Sequence, residues 1–149
     1  MKISPTGIER IKRYEACSFV VYDDVAGLAT IGWGHLIKPG EHFTKLTLAE
    51  AEALLEADLA PAVEAVNRDL AVDVTQEQFD SLVSFVFNVG AKAFHDSSLR
   101  KAINAGADPS VIRASLKLWC KARDPKTGAL VVVKGLAIRR ADEATAWPT

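Results

Sequence analysis

One β-rich island interrupts a chain whose other local signals are helical. Ser18-Phe19-Val20-Val21-Tyr22 and, after a turn, Leu28 to Trp33 are dense in β-branched and aromatic residues, which favour strands. Asp23-Asp24 and Ala26-Gly27 between them supply turn chemistry. A lone hairpin is marginal in water and has to lean on something larger. The expectation is therefore an α+β fold, with a small antiparallel β-lobe, a larger mostly helical lobe and an intervening cleft. Lys38-Pro39-Gly40-Glu41 marks the exit from the β-lobe.

The helical part is well punctuated. Ser4-Pro5 places a cap residue before a proline whose missing N–H is harmless in a first turn, and Ile8, Ile11 and Tyr14 then share one face. Glu15 falls at the C-terminal end of that helix. Thr47 with Glu50 and Thr75 with Gln78 are capping-box pairs that open two longer helices. Pro61 is expected to break or restart the first of these, which then runs to about Leu70. The second carries the apolar stretch Phe79 to Val89 and ends at Gly90, a residue suited to a left-handed cap. Further helices are expected over 97–105, from Asp108-Pro109 through Trp119, and from Gly135 to about Trp147. Between the last two lie a loop, Asp124 to Gly128, and an apolar run, Ala129 to Val133.

A chain of 149 residues with 49% apolar side chains buries roughly two thirds of its unfolded surface, enough for a core without metal or disulfide support. With no repeat and no linker, residues 1–149 read as one domain. The net charge of −1 conceals asymmetry: ten acidic residues lie in 41–80, and eleven basic ones in 81–140. A basic half suits an anionic polymer, and equally a merely solvated helix surface. No apolar stretch approaches the roughly 18 residues of a membrane span, and no signal peptide or signal-anchor is read at the N-terminus. Cys17 and Cys120 are expected as reduced, largely buried thiols; a bridge or adduct at Cys17, beside Glu15, is the alternative. His42 and His95 have no partner at ligand spacing, so no metal site and no cofactor are expected.

The chemistry concentrates at Glu15, Asp24 and Thr30, spaced Glu, eight residues, Asp, five residues, Thr. Cleaving a glycosidic bond needs one carboxylic acid to protonate the leaving oxygen and a second carboxylate on the other face of the sugar. Glu15 lies beside Tyr14, Ala16 and Cys17 at a helix C-terminus, surroundings that help a carboxyl keep its proton. Asp24 in a polar turn is then the base or charge stabiliser, and the Thr30 hydroxyl holds the attacking water. Taken singly, each has an ordinary structural reading as a surface or strand residue.

Tyr14-Glu15-Ala16 through Tyr22-Asp23-Asp24 to Thr30-Ile31-Gly32-Trp33-Gly34-His35 resembles the phage-type lysozymes, the endolysin muramidases. The likeness continues in Phe85 to Gly90, in Phe94 to Gly106, and in Gly135-Leu136 with Arg139-Arg140 and Glu143. It implies a muramidase cutting the β-1,4 bond between N-acetylmuramic acid and N-acetylglucosamine, with Glu15, Asp24 and Thr30 catalytic and the reaction inverting. Asp24, not Asp23, keeps the family interval, which leaves Asp23 to turn chemistry. His35 becomes a structural partner closing the β-lobe onto the first helix, and Phe87, Asn88 and Ser98 become candidate substrate contacts. The implied partner is bacterial peptidoglycan, acted on by a monomer without nucleic acid or stable membrane association. The protein would accumulate in the host cytoplasm until a holin opens the membrane. A lytic transglycosylase and an inactive peptidoglycan-binding module are the rival readings. The 124–134 segment is longer and more apolar than the family pattern leads one to expect.

Overall fold

The computed structural model describes residues 1–149. Helix α1 (Pro5–Tyr14) begins where Ser4 Oγ accepts the Gly7 N–H at 3.1 Å, and it ends at Glu15, whose backbone turns extended while its N–H still reaches the Ile11 carbonyl. The chain then forms β1 (Ser18–Asp23), β2 (Ala29–Gly32) and β3 (His35–Leu36), an antiparallel sheet in that order. Tyr22 pairs with Thr30 and Asp23 with Ala29, and the register shifts between Ser18 and Tyr22. The helical lobe follows as α2 (Leu48–Asp69), α3 (Gln76–Val89), α4 (Ala91–Asp96), α5 (Ser98–Asn104) and α6 (Pro109–Lys117). A second hairpin, β4 (Lys121–Arg123) with β5 (Leu130–Val132), precedes α7 (Lys134–Ala144).

Both capping boxes form: Thr47 and Glu50 bond reciprocally at the head of α2, as do Thr75 and Gln78 at the head of α3. Each cap stabilises its helix by about 1 kcal/mol. The core is organised on α3, whose Phe79, Leu82, Val83, Phe85 and Val86 are all buried. Around it pack Ile11 of α1, Leu55 and Leu59 of α2, Leu99 and Ile103 of α5, Leu116 of α6 and Trp147 near the C-terminus. Burying each large aliphatic or aromatic side chain contributes about 1.5–3 kcal/mol, which makes α3 the spine of the molecule.

Several expectations are corrected. Helix α2 runs unbroken through Pro61. Proline removes one hydrogen bond, but Ala57 and Pro61 are both exposed, so the freed carbonyl lies on the solvent side of the helix. Meanwhile Leu55, Leu59, Ala62 and Val66 remain buried on either side and carry the helix across. The apolar run before α7, to which the sequence assigns no element, contains a strand, since Lys121–Arg123 pairs with Leu130–Val132. Cys17 is exposed and Cys120 only partly covered, and both are free thiols. Asp23 closes β1 opposite Ala29, and the turn chemistry falls to Asp24. His35 fastens the β-lobe to α2 instead of α1: Nδ1 lies 2.8 Å from Asp58 Oδ2 and Nε2 lies 3.1 Å from Glu41 Oε1.

The α1–α3 contact leaves no room at Gly7. A Cβ there would stand 2.6 Å from Asp80 Cγ, and Asp80 is committed, since it accepts from the Ser4 N–H, the Ser4 hydroxyl and Gln76. Glycine to alanine in an open helix stabilises by up to about 1 kcal/mol. Here Gly7→Ala is expected to destabilise by about 1–3 kcal/mol through overpacking. Urea unfolding midpoints of the two proteins check this; equal midpoints would mean that Asp80 moves aside at no cost.

Candidate active site

Glu15 sits where α1 stops, and the end of the helix delivers its side chain to the junction of the two lobes. It lines two adjoining pockets. The first, about 350 Å³, is walled by Gly34, Leu36, Lys38, Asp58, Phe87 and Asn88; the second, about 440 Å³, by Tyr14, Asn88, Val133, Leu136, Ile138 and Arg139, among others. Asn88 is common to both, so the cleft passes Glu15 on either side. The Glu15 side chain is 25% exposed.

The carboxyl group is held asymmetrically. Arg139 Nη1 donates to Glu15 Oε1 at 3.0 Å, whereas Oε2 faces the backbone of Gly34, 3.5 Å from where a Cβ would be. Gly34 has φ of +77°, a left-handed conformation that glycine adopts without strain. Arginine has only donors, so Oε1 accepts and any proton on this carboxyl rides on Oε2.

Arg139 belongs to a buried charged cluster. Its Nε donates to Glu143 Oε1 at 3.2 Å and its Nη2 to the Ser84 carbonyl at 3.0 Å, while its guanidinium lies over the Tyr14 ring. Glu143 also accepts the Ser84 hydroxyl at 2.7 Å. Arg140 Nε stands 2.8 Å from Glu143 Oε2, an ion pair too bent to count as a hydrogen bond, and Arg140 Nη1 has no partner. Arg140 Nη2 reaches Asn88 Oδ1 at 2.9 Å. Burial pushes the Glu143 carboxyl above the ordinary carboxylate range, against the pull of Arg140, Ser84 and Arg139.

Asp24 and Thr30 stand together at the end of the first hairpin. Asp24 Oδ1 accepts the N–H groups of Ala26 and Leu28, each at 2.9 Å. The Leu28 carbonyl in turn receives both the Asp24 N–H and the Thr30 hydroxyl, at 2.9 and 2.8 Å. One peptide unit thus ties the two residues into a fixed pair. Thr30 is buried, and its proton is committed to Leu28, so its remaining lone pair is an acceptor.

Of the other candidates, Phe87 and Asn88 line the cleft. Ser98 is exposed at the start of α5 and, like Asp24 and Thr30, lines neither pocket that contains Glu15. Asp58, Lys38 and Leu136 are cleft-wall residues that sequence reading passed over, because no local pattern distinguishes them. His95 pairs with Asp69 at 3.2 Å, and no group of three potential ligands gathers at any point.

A β-lobe and a helical lobe flanking a carboxylate-bearing cleft define the lysozyme-like class. The sequence pattern of the phage lysozyme family matches residues 12–143, and the chain belongs to that family: it is a lysozyme, a glycoside hydrolase of peptidoglycan. It is 37% identical over 145 residues to the endolysin of Acyrthosiphon pisum secondary endosymbiont phage 1, covering 96% of this chain and 95% of that one. Two Bacillus phage endolysins that it also matches are longer, and the chain spans 54% and 55% of them. Among solved structures, the endolysin from Escherichia coli O157:H7 phage FAHEc1 superimposes with a TM-score of 0.91 at 35% identity, over 99% of this chain and 94% of that one. The muramidase domain of SpmX from Asticaccaulis excentricus gives 0.88 at 36% identity, over 99% and 98%.

Two predictions follow from the charges around the cleft. Glu143→Ala strands Arg139 and Arg140 without their carboxylate, and losing one partner of a buried pair costs about 3–5 kcal/mol. Urea denaturation measures this, and a loss under about 1 kcal/mol would class the cluster with surface ion pairs. Separately, the Lys38 N–H and then the His35 ring hold the Glu41 carboxyl below its ordinary value of 4.5. A depressed folded value contributes stability that is complete above the unfolded value and lost as pH falls through the folded one. The melting temperature of Glu41→Gln should therefore trail the parent's most above pH 4.5, with the gap closing in acid; a constant gap would remove ionisation as its cause.

Proposed function

We propose that this lysozyme hydrolyses the β-1,4 bond between N-acetylmuramic acid and N-acetylglucosamine, with Glu15 as general acid and Asp24 with Thr30 managing the water. The observation that supports these roles best is the opposite treatment of the two carboxylates. Glu15 has one oxygen fastened by Arg139 and the other beside Gly34 on the wall of the first pocket, where it is left to carry the proton that a general acid donates. Asp24 has one oxygen saturated by backbone N–H groups, which leaves the other to accept.

The steps balance. Glu15 Oε2–H protonates the glycosidic oxygen as the bond to the anomeric carbon breaks. A water on the opposite face directs one hydrogen to Asp24 and the other to the Thr30 lone pair, so its own lone pair faces the anomeric carbon. Asp24 takes the water's proton as the new C–O bond forms, and configuration inverts. Solvent then returns a proton to Glu15 and removes one from Asp24. Phe87 offers an apolar face to a sugar ring. Asn88, with Oδ1 engaged by Arg140, has its amide N–H groups to offer an acetamido carbonyl. Nothing around Ser98 supports a sugar contact.

The same proposal includes action as a single-domain monomer and holin-dependent release from the host cytoplasm, by likeness to endolysins. No helix is long and apolar enough to cross a membrane. One relative, 35% identical over 133 residues, is named a SAR-endolysin, from Escherichia phage Mu.

Glu15→Gln preserves shape and removes the transferable proton, so turnover of purified peptidoglycan should fall at least about a hundredfold with melting temperature unchanged. Near-parental turnover by a folded variant would dismiss Glu15 as the acid. Products of the parent enzyme should carry reducing, hydrated ends, and anhydro-muramic ends would place it among lytic transglycosylases instead.

A further inference from the structure

The β4–β5 hairpin has no role in the chemistry above, and every residue of both strands is exposed. A sheet that packs on a core hides one face; this one hides neither, so it projects into solvent. It displays Leu130 at 59% and Val132 at 62% exposure, with Val131 on the opposite face and Leu118, at 73%, on the approach. In the register, Arg123 faces Leu130 and Lys121 faces Val132, so cation and aliphatic chain alternate on one surface. Lys117, Lys126 and Lys134 complete an exposed basic ring, and none of these five forms an ion pair. Asp124 is the only acidic residue between Asp108 and Asp142, and its Oδ1 is already taken by the Lys126 N–H.

We propose that this hairpin is an adhesion tip for the anionic phospholipid surface of a bilayer. Unpaired cations alone would suit any polyanion, including the wall polymer. Exposed leucine and valine gain nothing from a hydrated saccharide strand, but they do gain from the boundary between headgroups and acyl chains. The contrast with β1 is informative: Phe19, Val20 and Val21 are also exposed, yet no Lys or Arg occurs between Arg13 and Lys38. Lysine on an edge strand also blunts aggregation, a role that needs no lipid. The adhesion is reversible and salt-dependent, short of stable anchoring, and its readout is independent of the glycosidase reading.

The test is co-sedimentation of the whole protein with vesicles of phosphatidylcholine plus phosphatidylglycerol, and with vesicles of phosphatidylcholine alone. Binding is expected only to the former and should weaken with salt. Lys121→Gln/Arg123→Gln/Lys126→Gln should lower the partition coefficient roughly a hundredfold, at the per-residue strength of basic groups near anionic lipid. Leu130→Ser/Val132→Ser should lower it about tenfold. Both variants should melt as the parent does and digest membrane-free sacculi at the parental rate. Equal binding to both vesicle types, no binding to either, or binding indifferent to the variants would overturn the proposal. So would slowed digestion of sacculi by the triple variant, which would give the hairpin to the wall polymer. A parental dimer that the triple variant dissociates would give it to a second copy and also overturn the proposal.

Discussion

Glu143, fully buried between two arginines, is the contact on which the rest of the helical lobe depends. A carboxylate out of water is costly unless several donors meet it, and here Arg139, Arg140 and the Ser84 hydroxyl do so. Meeting that one charge, with Oε2 left to the Arg140 ion pair alone, fixes α7 against α3. The consequences spread outward: Arg139 reaches Glu15 at the end of α1, and Arg140 reaches Asn88 on the cleft wall. Two side chains that line the cleft are thus aimed by one buried charge. Arg140 is itself imperfectly satisfied, with Nη1 unpartnered, and its guanidinium lies 4.9 Å from the Phe85 ring centroid, an attraction that offsets part of the desolvation.

The β-lobe is secured by a different and weaker device. His35 places each ring nitrogen against a carboxylate, Asp58 of α2 on one side and Glu41 of the following loop on the other. Phe43 packs edge-on to the ring at 5.9 Å, and Lys12 of α1 lies 4.6 Å above Trp33. Together these hold the β-lobe against α2 and α1, and the cleft beside Glu15 runs along that junction. The two halves of the site therefore depend on unrelated anchors.

What could be read from the sequence is what is local. Ser4-Pro5, Thr47 with Glu50, Thr75 with Gln78 and Asp108-Pro109 each specify a helix start within four residues, and each start is observed. The position of Glu15 at the end of α1 follows from the same local logic. The choice of Arg139 as its partner does not, because the contact spans 124 residues. Asp58 gives no local sign that it meets His35, for the same reason. Pro61 misleads because the local rule is right about the lost hydrogen bond, while tertiary burial on both sides decides the outcome. Lys121-Ala122-Arg123 carries no strand pattern of its own and becomes one only by pairing with Leu130–Val132. Asp23 is a strand residue where turn chemistry was expected, because the register, which sequence does not display, ends β1 one residue before the turn.

This division between local and distant constraints has a kinetic corollary. Asp24 and Thr30 are joined through Leu28, inside one hairpin of seven residues between them inclusive, and closing so short a loop is fast and entropically cheap. Glu15 is completed only when the C-terminal helix docks, the most non-local event in the chain. Contacts between residues far apart in the chain carry the larger loop-closure cost and slow folding. The Asp24–Thr30 pairing therefore follows from one hairpin's own register, whereas the Arg139 contact to Glu15 waits for the two ends of the chain to meet. Orientation of the Glu15 carboxyl is thus a property of the completed helical lobe and not of α1 alone.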